Sequence, residues 1–367
     1  MADPYRYHRL ALSPLFAKDV YDAILSVRDT LNKGEQDSFL EFILTKRLGP
    51  LWYDLLQKSN TLSLLPQPFT QKLRNITLHT ASKYLFQKAA LEEIDTLFNA
   101  NEISYIAFKG AHTREILYDT PALRYSCDID ILISKENKIK AIRILSDSGY
   151  SFQPEEKNIN SQATLSKNKI FIDLHWDILR PGRTRKGMAE QILASRQRFA
   201  IHWGPSDEAT LFLMLVHPVF SEYATTPYSS LMRVVDLIKW LKKKDPDWDK
   251  VYSLLERAGL CAAGWVTLNW LYQITNTPPP QPFYDRIKPG PIKSKYLHWW
   301  VHGDYSTRLR KKPLIVQALF TLPVHDKIGD AIRAVRYLIQ GKRTAREKLE
   351  KLLSKVHDQG YENSTRF

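Results

Sequence analysis

Apolar positions follow two rhythms along this chain. From the start to about residue 100 they recur at intervals of three and four. Tyr84, Leu91, Ile94 and Phe98 mark one stripe, and Glu92, Glu93 and Asp95 fall away from it, which predicts a helix with one buried face. Pro66 and Pro68 separate this helix from an earlier pair at about 17–30 and 36–58. After Asn101 the rhythm shortens. Residues 104–108 and 127–133 are apolar runs of strand length, and 150–152, 162–165 and 169–175 read as further strands. Between them, 110–118 is helix-like. A helix is predicted from Ser134 to Ser148, capped by Ser134, with Glu136 in its first turn. Ile139, Ile142 and Leu145 share one face, and Gly149 stops it. Beyond Pro205 the helical rhythm returns at 207–222, 230–243, 247–258 and 260–274.

The order of elements predicts an α+β protein, a small mixed-sheet core flanked by N-terminal and C-terminal helical regions. The expected division is a helical bundle over 1–100, an α+β core over 101–204, a helical domain packing on that core over 205–276, and a basic, mainly helical region over 277–367. A length of 367 residues suits two or more domains. Prolines at 278–280, 282, 289 and 291 mark a linker, and apolar helical segments near 313–321 and 326–340 precede a basic helix carrying Lys342, Arg343, Arg346, Lys348, Lys351 and Lys355. No internal repeat is present.

Composition narrows the classes. Apolar residues make up 44%, which excludes disorder throughout. The two cysteines, Cys127 and Cys261, exclude a disulfide scaffold, and no Cys/His cluster has zinc spacing. The opening residues lack the layout of a signal peptide, so a reducing cytoplasm is the expected setting. Residues 258–284 carry no charge, but the apolar part ends near Ile274, includes Asn269 and Gln273, and runs into prolines. That predicts a buried helix, with no stable membrane insertion.

Charge is uneven. Of the net +14, residues 281–367 hold +10, from 18 Lys+Arg against 8 Asp+Glu, whereas 101–180 balances at 11 of each. A basic tail attracts polyanions such as RNA or an acidic membrane surface. The plainer reading is a solvated helix that aids solubility. Arg310-Lys311-Lys312 and the 342–355 helix are the candidate contacts, although aromatics interleave only sparsely, at Tyr305, Phe320 and Tyr337.

The sharpest local feature is Cys127-Asp128-Ile129-Asp130-Ile131-Leu132-Ile133. On a strand, alternate residues share a face, so Asp128 and Asp130 are expected to project together. Adjacent carboxylates repel, and a divalent cation with oxygen ligands is the usual remedy. A second acidic strand, Phe171-Ile-Asp173-Leu-His175-Trp-Asp177, puts 173, 175 and 177 on one face. If the two strands are neighbours, three carboxylates converge as a two-metal site requires. Upstream, Lys109-Gly110 joins a strand to a helix. Glycine allows close backbone approach, a helix N-terminus favours an anion, and Lys109 offers a point charge. Arg124 offers bidentate geometry.

Taken in order, Lys109-Gly110, Arg124-Tyr-Ser-Cys-Asp128-Ile-Asp130, Gly149-Tyr150 and Asp173-Leu-His175-Trp176 resemble the uncharacterised bacterial nucleotidyltransferase family of the DNA polymerase beta-like superfamily. The likeness covers about 80–245 and continues more weakly through Asp207-Glu208, His217 and Leu231–Asp236. It implies transfer of a nucleoside monophosphate from an NTP such as ATP to an acceptor, with release of pyrophosphate. Mg²⁺ or Mn²⁺ would be held by Asp128, Asp130 and Asp173. The same three residues are the implied catalytic set, and Gly110 is the implied phosphate-binding position. Lys109, Arg124 and His175 complete the expected nucleotide-binding set. Many superfamily members have Gly-Ser or Gly-Gly where this chain has Lys109-Gly110, so the serine hydroxyl is missing and Lys109 could substitute.

Each residue also has a plainer reading. A D-x-D pair can end a solvated strand, Asp173 can pair with an arginine, and His175 beside Trp176 can be structural. Asp177 lies near its strand end, His217 reads as a buried hydrogen-bonded histidine, and Asp236 as a packing residue. A small-molecule acceptor is favoured over an RNA end or a protein side chain. The rivals are a non-catalytic polyanion-binding protein with this fold and a metal-dependent phosphohydrolase.

Overall fold

The computed structural model describes residues 3–155, 159–222, 231–309 and 311–357. Four helices lead the chain: α1 (Arg6–Phe16), α2 (Val20–Thr30), α3 (Lys33–Thr45) and α4 (Gly49–Lys58). The single helix expected over 36–58 is two. Arg47 adopts a φ of 61°, and Pro50, which lacks a backbone N–H, starts the second helix instead of continuing the first. Helix α5 (Gln67–Ala100) follows.

The sheet is built from β1 (Tyr105–Phe108), β2 (Ile129–Ile133), β3 (Ser151–Gln153), β4 (Gln162–Lys167) and β5 (Ile170–His175), in the order β1-β2-β5-β4-β3. Only β2 and β5 pair in parallel; the other neighbours are antiparallel. Strands β4 and β5 form a hairpin through Asn168 and Lys169, both with positive φ, the backbone that a tight two-residue hairpin turn needs. Helix α6 (Lys109–Leu117) links β1 towards β2, and α7 (Lys138–Asp147) links β2 towards β3. The α7 helix starts four residues later than its sequence suggests, because Ser134–Asn137 closes a turn and Ser134 therefore caps nothing.

The two faces of the sheet enter two separate cores. Tyr105, Ala107, Ile129, Ile131, Ile133, Ile172 and Leu174 pack with Leu91, Ile94 and Phe98 of α5 and with Ile142 and Leu145 of α7. Ile106, Phe108 and Leu132 join the second, larger core of helices. Helix α5 spans both, since its Phe69 and Leu73 belong to the helical core. A strand buried on both faces reads as an unbroken apolar run, which is why β2 carries so many isoleucines.

After the sheet come α8 (Ala189–Ala194) and a small hairpin, β6 (Gln197–Arg198) with β7 (Trp203–Gly204), neither expected from the sequence. Then follow α9 (Asp207–His217), α10 (Met232–Lys243), α11 (Trp248–Ala258) and α12 (Cys261–Thr275). The expected start of α10 at residue 230 lies outside the described residues. Helix α12 is the uncharged stretch, and it is buried among α1, α9 and their neighbours. No helix among the described residues is long and apolar enough to cross a membrane. The C-terminal part holds α13 (Phe283–Arg286), α14 (Pro291–His302), α15 (Tyr305–Arg308), α16 (Pro313–Val316) and α17 (Ile328–His357). The last unites the apolar segment and the basic helix that were expected separately. Gly341 costs a helix about 1 kcal/mol relative to alanine, but Ala334, Ala345 and Leu352 stay buried on either side of it.

Ile131 is fully buried on the middle strand pair, whereas Phe86 on α5 is exposed. In urea unfolding, Ile131→Ala is expected to cost about 2–5 kcal/mol through the cavity it leaves. Phe86→Ala should change stability by less than about 0.5 kcal/mol.

Candidate active site

Parallel pairing of β2 with β5 sets Asp130 directly beside Asp173 and Leu132 beside His175. The antiparallel pairing of β1 sets Phe108 beside Asp130. The isoleucines of β2 face the other way, so the acidic and apolar halves of the strand separate as its alternation requires. Asp130, Asp173 and His175 bring one ligand atom each within 4.8 Å of one another. Two carboxylates and an imidazole form a donor set that suits a divalent cation.

Asp130 and His175 are buried, and Asp173 is half-buried. One oxygen of Asp130 takes two partners, the Lys109 ammonium at 2.5 Å and His175 Nε2 at 2.9 Å. Burial by itself would raise the Asp130 carboxyl, but Lys109 and the His175 hydrogen bond overcome it and hold the group well below the usual carboxylate range. Burial and the nearby Lys109 charge lower the His175 imidazole, while Asp130 opposes them. Asp173 accepts from Thr164 Oγ1 at 2.7 Å and from Gln162 Nε2 at 3.2 Å. Both donors come from β4 on the same face of the sheet.

Lys109 reaches Asp130 through an unusual backbone. It leaves β1 with a φ of 51°, a left-handed conformation that costs a non-glycine residue about 1–2 kcal/mol. The turn sends the chain at once into α6. Gly110 follows with no room for a side chain, since a Cβ there would lie 2.3 Å from both Arg124 Nη1 and Ser126 Oγ. The backbone of the Lys-Gly junction is thus pressed against the loop that leads to β2.

That loop is pinned from several sides. Arg124 forks onto Asp236 of α10, with Nη2–Oδ2 at 2.5 Å and Nε–Oδ1 at 3.3 Å. Tyr118 and Thr113 also donate to Asp236. Lys83 and Gln87 of α5 donate to the carbonyls of Cys127 and Ser126. The expected bidentate geometry of Arg124 is present, and its partner here is Asp236.

Asp128 stands just before β2 and outside the three-residue cluster, because the strand begins only at Ile129. It still feels the cluster. Burial and then the charges of Asp130 and Asp173 push its carboxyl up to about 6, with Lys109 opposing. Asp177 lies past the end of β5. Burial raises it to about 6, and it accepts from the backbone N–H of Ile178 at 2.8 Å. His217 is buried near Phe108, with ring centroids 6.1 Å apart.

Sequence reasoning named Arg124 and Asp236 singly, but not their pairing, and it did not find the donors on β4. Gln162 and Thr164 alternate along a recognised strand, so their shared face was legible, but their neighbour was not. The Arg124–Asp236 pair bridges 112 residues. A second buried pair, His112 Nδ1 and His202 Nε2 at 3.0 Å, lies beside Thr210 and has no sequence signal. Burial lowers both imidazoles, His202 to about 4. A cleft of about 30 Å³ lined by Lys109, His112, Arg124 and Asp236 has room for a water or two. Asp128 and Asp173 are half-buried, the more open members of the acidic set.

A family model described as an uncharacterised nucleotidyltransferase matches residues 32–272. The span takes in every site residue above and leaves out the C-terminal helices α13–α17. A comparison with curated proteins finds no match.

Two outcomes follow for stability. Gly110→Ala is expected to cost about 1–3 kcal/mol in urea unfolding, by forcing Arg124 and Ser126 aside. Asp128 is raised from 3.8 to about 6 on folding, so its contribution favours the folded state at low pH and is lost as pH rises through that window. With a chelator present, Asp128→Asn should be more stable than wild type at pH 8, and the advantage should vanish by pH 4.

Proposed function

The chain belongs to the uncharacterised nucleotidyltransferase family, and from that premise and the cluster on β2 and β5 we propose that it transfers a nucleoside monophosphate from an NTP to an acceptor and releases pyrophosphate. The observation that carries the reading is the pairing of Asp130 with Asp173 on adjacent parallel strands, with His175 within ligand distance. Those oxygens suit Mg²⁺ or Mn²⁺, and Asp128 flanks them as a further carboxylate. A divalent ion held there would neutralise triphosphate charge and lower the pKa of an acceptor hydroxyl.

The protein's own groups do the positioning. His175 fixes one oxygen of Asp130, and Thr164 with Gln162 fixes both oxygens of Asp173. Carboxylates held this way keep their orientation when a ligand arrives, and little reorganisation remains for the reaction itself. Lys109 places a positive charge at the N-terminus of α6, where a phosphate oxygen gains from both the ammonium and the free backbone N–H groups. This takes the place of the missing serine hydroxyl. Arg124 is a positioning residue through Asp236: it anchors the loop that delivers Asp128 and keeps Gly110 close.

The favoured acceptor is a small molecule bearing a hydroxyl or phosphate, with an RNA end or a protein side chain as the alternatives. An NTP-by-acceptor screen with mass detection of the adduct names it. With α-labelled NTP and Mg²⁺ or Mn²⁺, Asp130→Asn and Asp173→Asn should each lose at least about 100-fold in turnover while far-UV circular dichroism stays unchanged. Wild-type turnover in either variant would overturn the assignment. NTP hydrolysis that needs no acceptor would instead mark a phosphohydrolase. Absence of metal-dependent NTP binding would mark a binding protein that keeps the fold.

A further inference from the structure

A second concave site lies beyond the C-terminal ends of β2 and β5. Its volume is about 730 Å³, within the usual range for small-molecule sites. One wall comes from loops beyond the C-terminal ends of the two strands and carries Lys135, Arg180 and Arg183; the other comes from the segment Leu314–His325 and from α17, which adds Lys342 and Lys348. About 10 Å of strand separates Asp130 from Ile133, and Lys135 lies two residues farther on. The α17 wall falls outside the residues that the family model matches.

The charge of this lining is of one sign. Among the described residues it contains five cations and no Asp or Glu. None of the five forms an ion pair with a described residue. Lys348 bonds only the amide oxygen of Asn160, and Arg183 bonds the carbonyl of Phe220. Burial and the charge of Arg180 lower the Arg183 guanidinium to about 10. Neighbouring Lys138 is lowered by burial and by Lys135, Lys355 and Lys348. The carboxylate that senses Lys135 is Asp177, which is itself raised by burial. Like charges gathered around a concave space repel one another, and the cavity focuses their field on whatever enters. Leu314, Leu322, Val335 and Leu338 give the same cavity an apolar side.

We propose that this cavity binds a small molecule of nucleotide size that carries two or more phosphate groups, its phosphates on Arg180, Lys135 and Lys342 and its less polar part against α17. Five cations exceed what one phosphate neutralises, and a cavity of about 730 Å³ matches a compact ligand better than a long strand. Its lining shares no residue with the acidic cluster, so the inference stands whether or not the transfer reading does.

Binding of inorganic tripolyphosphate to the full chain, measured by calorimetry in EDTA, tests it. The double variant Arg180→Gln/Lys342→Gln should weaken binding at least about tenfold, and its melting temperature should not fall, since the change relieves repulsion. Lys311→Gln/Lys312→Gln removes equal charge from an exposed turn outside the cavity and should change it by less than about twofold. Equal affinity in wild type and the cavity variant, or no binding by wild type, overturns the proposal. So does binding of a short RNA that tripolyphosphate cannot displace, which would mark the basic surface as a nucleic-acid track.

Discussion

Two carboxylates meet in the interior of this protein because β2 and β5 pair in parallel with Asp130 opposite Asp173. Charges about 5 Å apart repel by about 3 kcal/mol at an effective dielectric of about 20. Such a register persists only if positive charge and donors are close by. Lys109, His175, Thr164 and Gln162 supply them, and each comes from a different part of the sheet or its edge. The left-handed backbone at Lys109, the bare Gly110 and the pinned loop before β2 all follow from the need to bring an ammonium to a buried aspartate.

The two cores explain how the cluster is kept rigid. The isoleucine face of β2 is locked against α5 and α7, while Phe108 and Leu132 join the large helical core. Neither face of the strand can shift without disturbing close packing. Helix α5 enters both cores and also holds the loop at Ser126 and Cys127, so the N-terminal helices contribute directly to the position of Asp128. On the far side, Asp236 of α10 does the same through Arg124.

Charge is divided in a way that bulk composition conceals. The residues around the metal-type cluster are balanced, and part of the excess of the C-terminal region borders a cavity. Lys342 and Lys348 turn towards Lys135, Arg180 and Arg183 and form the wall of a cavity. Other cations of α17, such as Arg346 and Lys351, pair with glutamates one turn away on the helix surface. Arg310 of the basic triplet lies outside the described residues.

Much of this was written in local sequence. The shift from helical to alternating rhythm located the sheet, the Asp-x-Asp and Asp-Leu-His runs located the strands that carry the acidic cluster, and the uncharged 258–284 stretch announced a buried helix. These are properties of adjacent residues, and backbone geometry converts them directly into faces. Strand adjacency was not local: only packing placed β5 beside β2, and so made His175 and Asp173, with Asp130, the close set while Asp128 remained at the strand's threshold. Packing likewise gave Arg124 to Asp236 and gathered five distant cations around one cavity. Side chains far apart in the chain meet only when elements pack, and the energies that select those meetings belong to the whole fold.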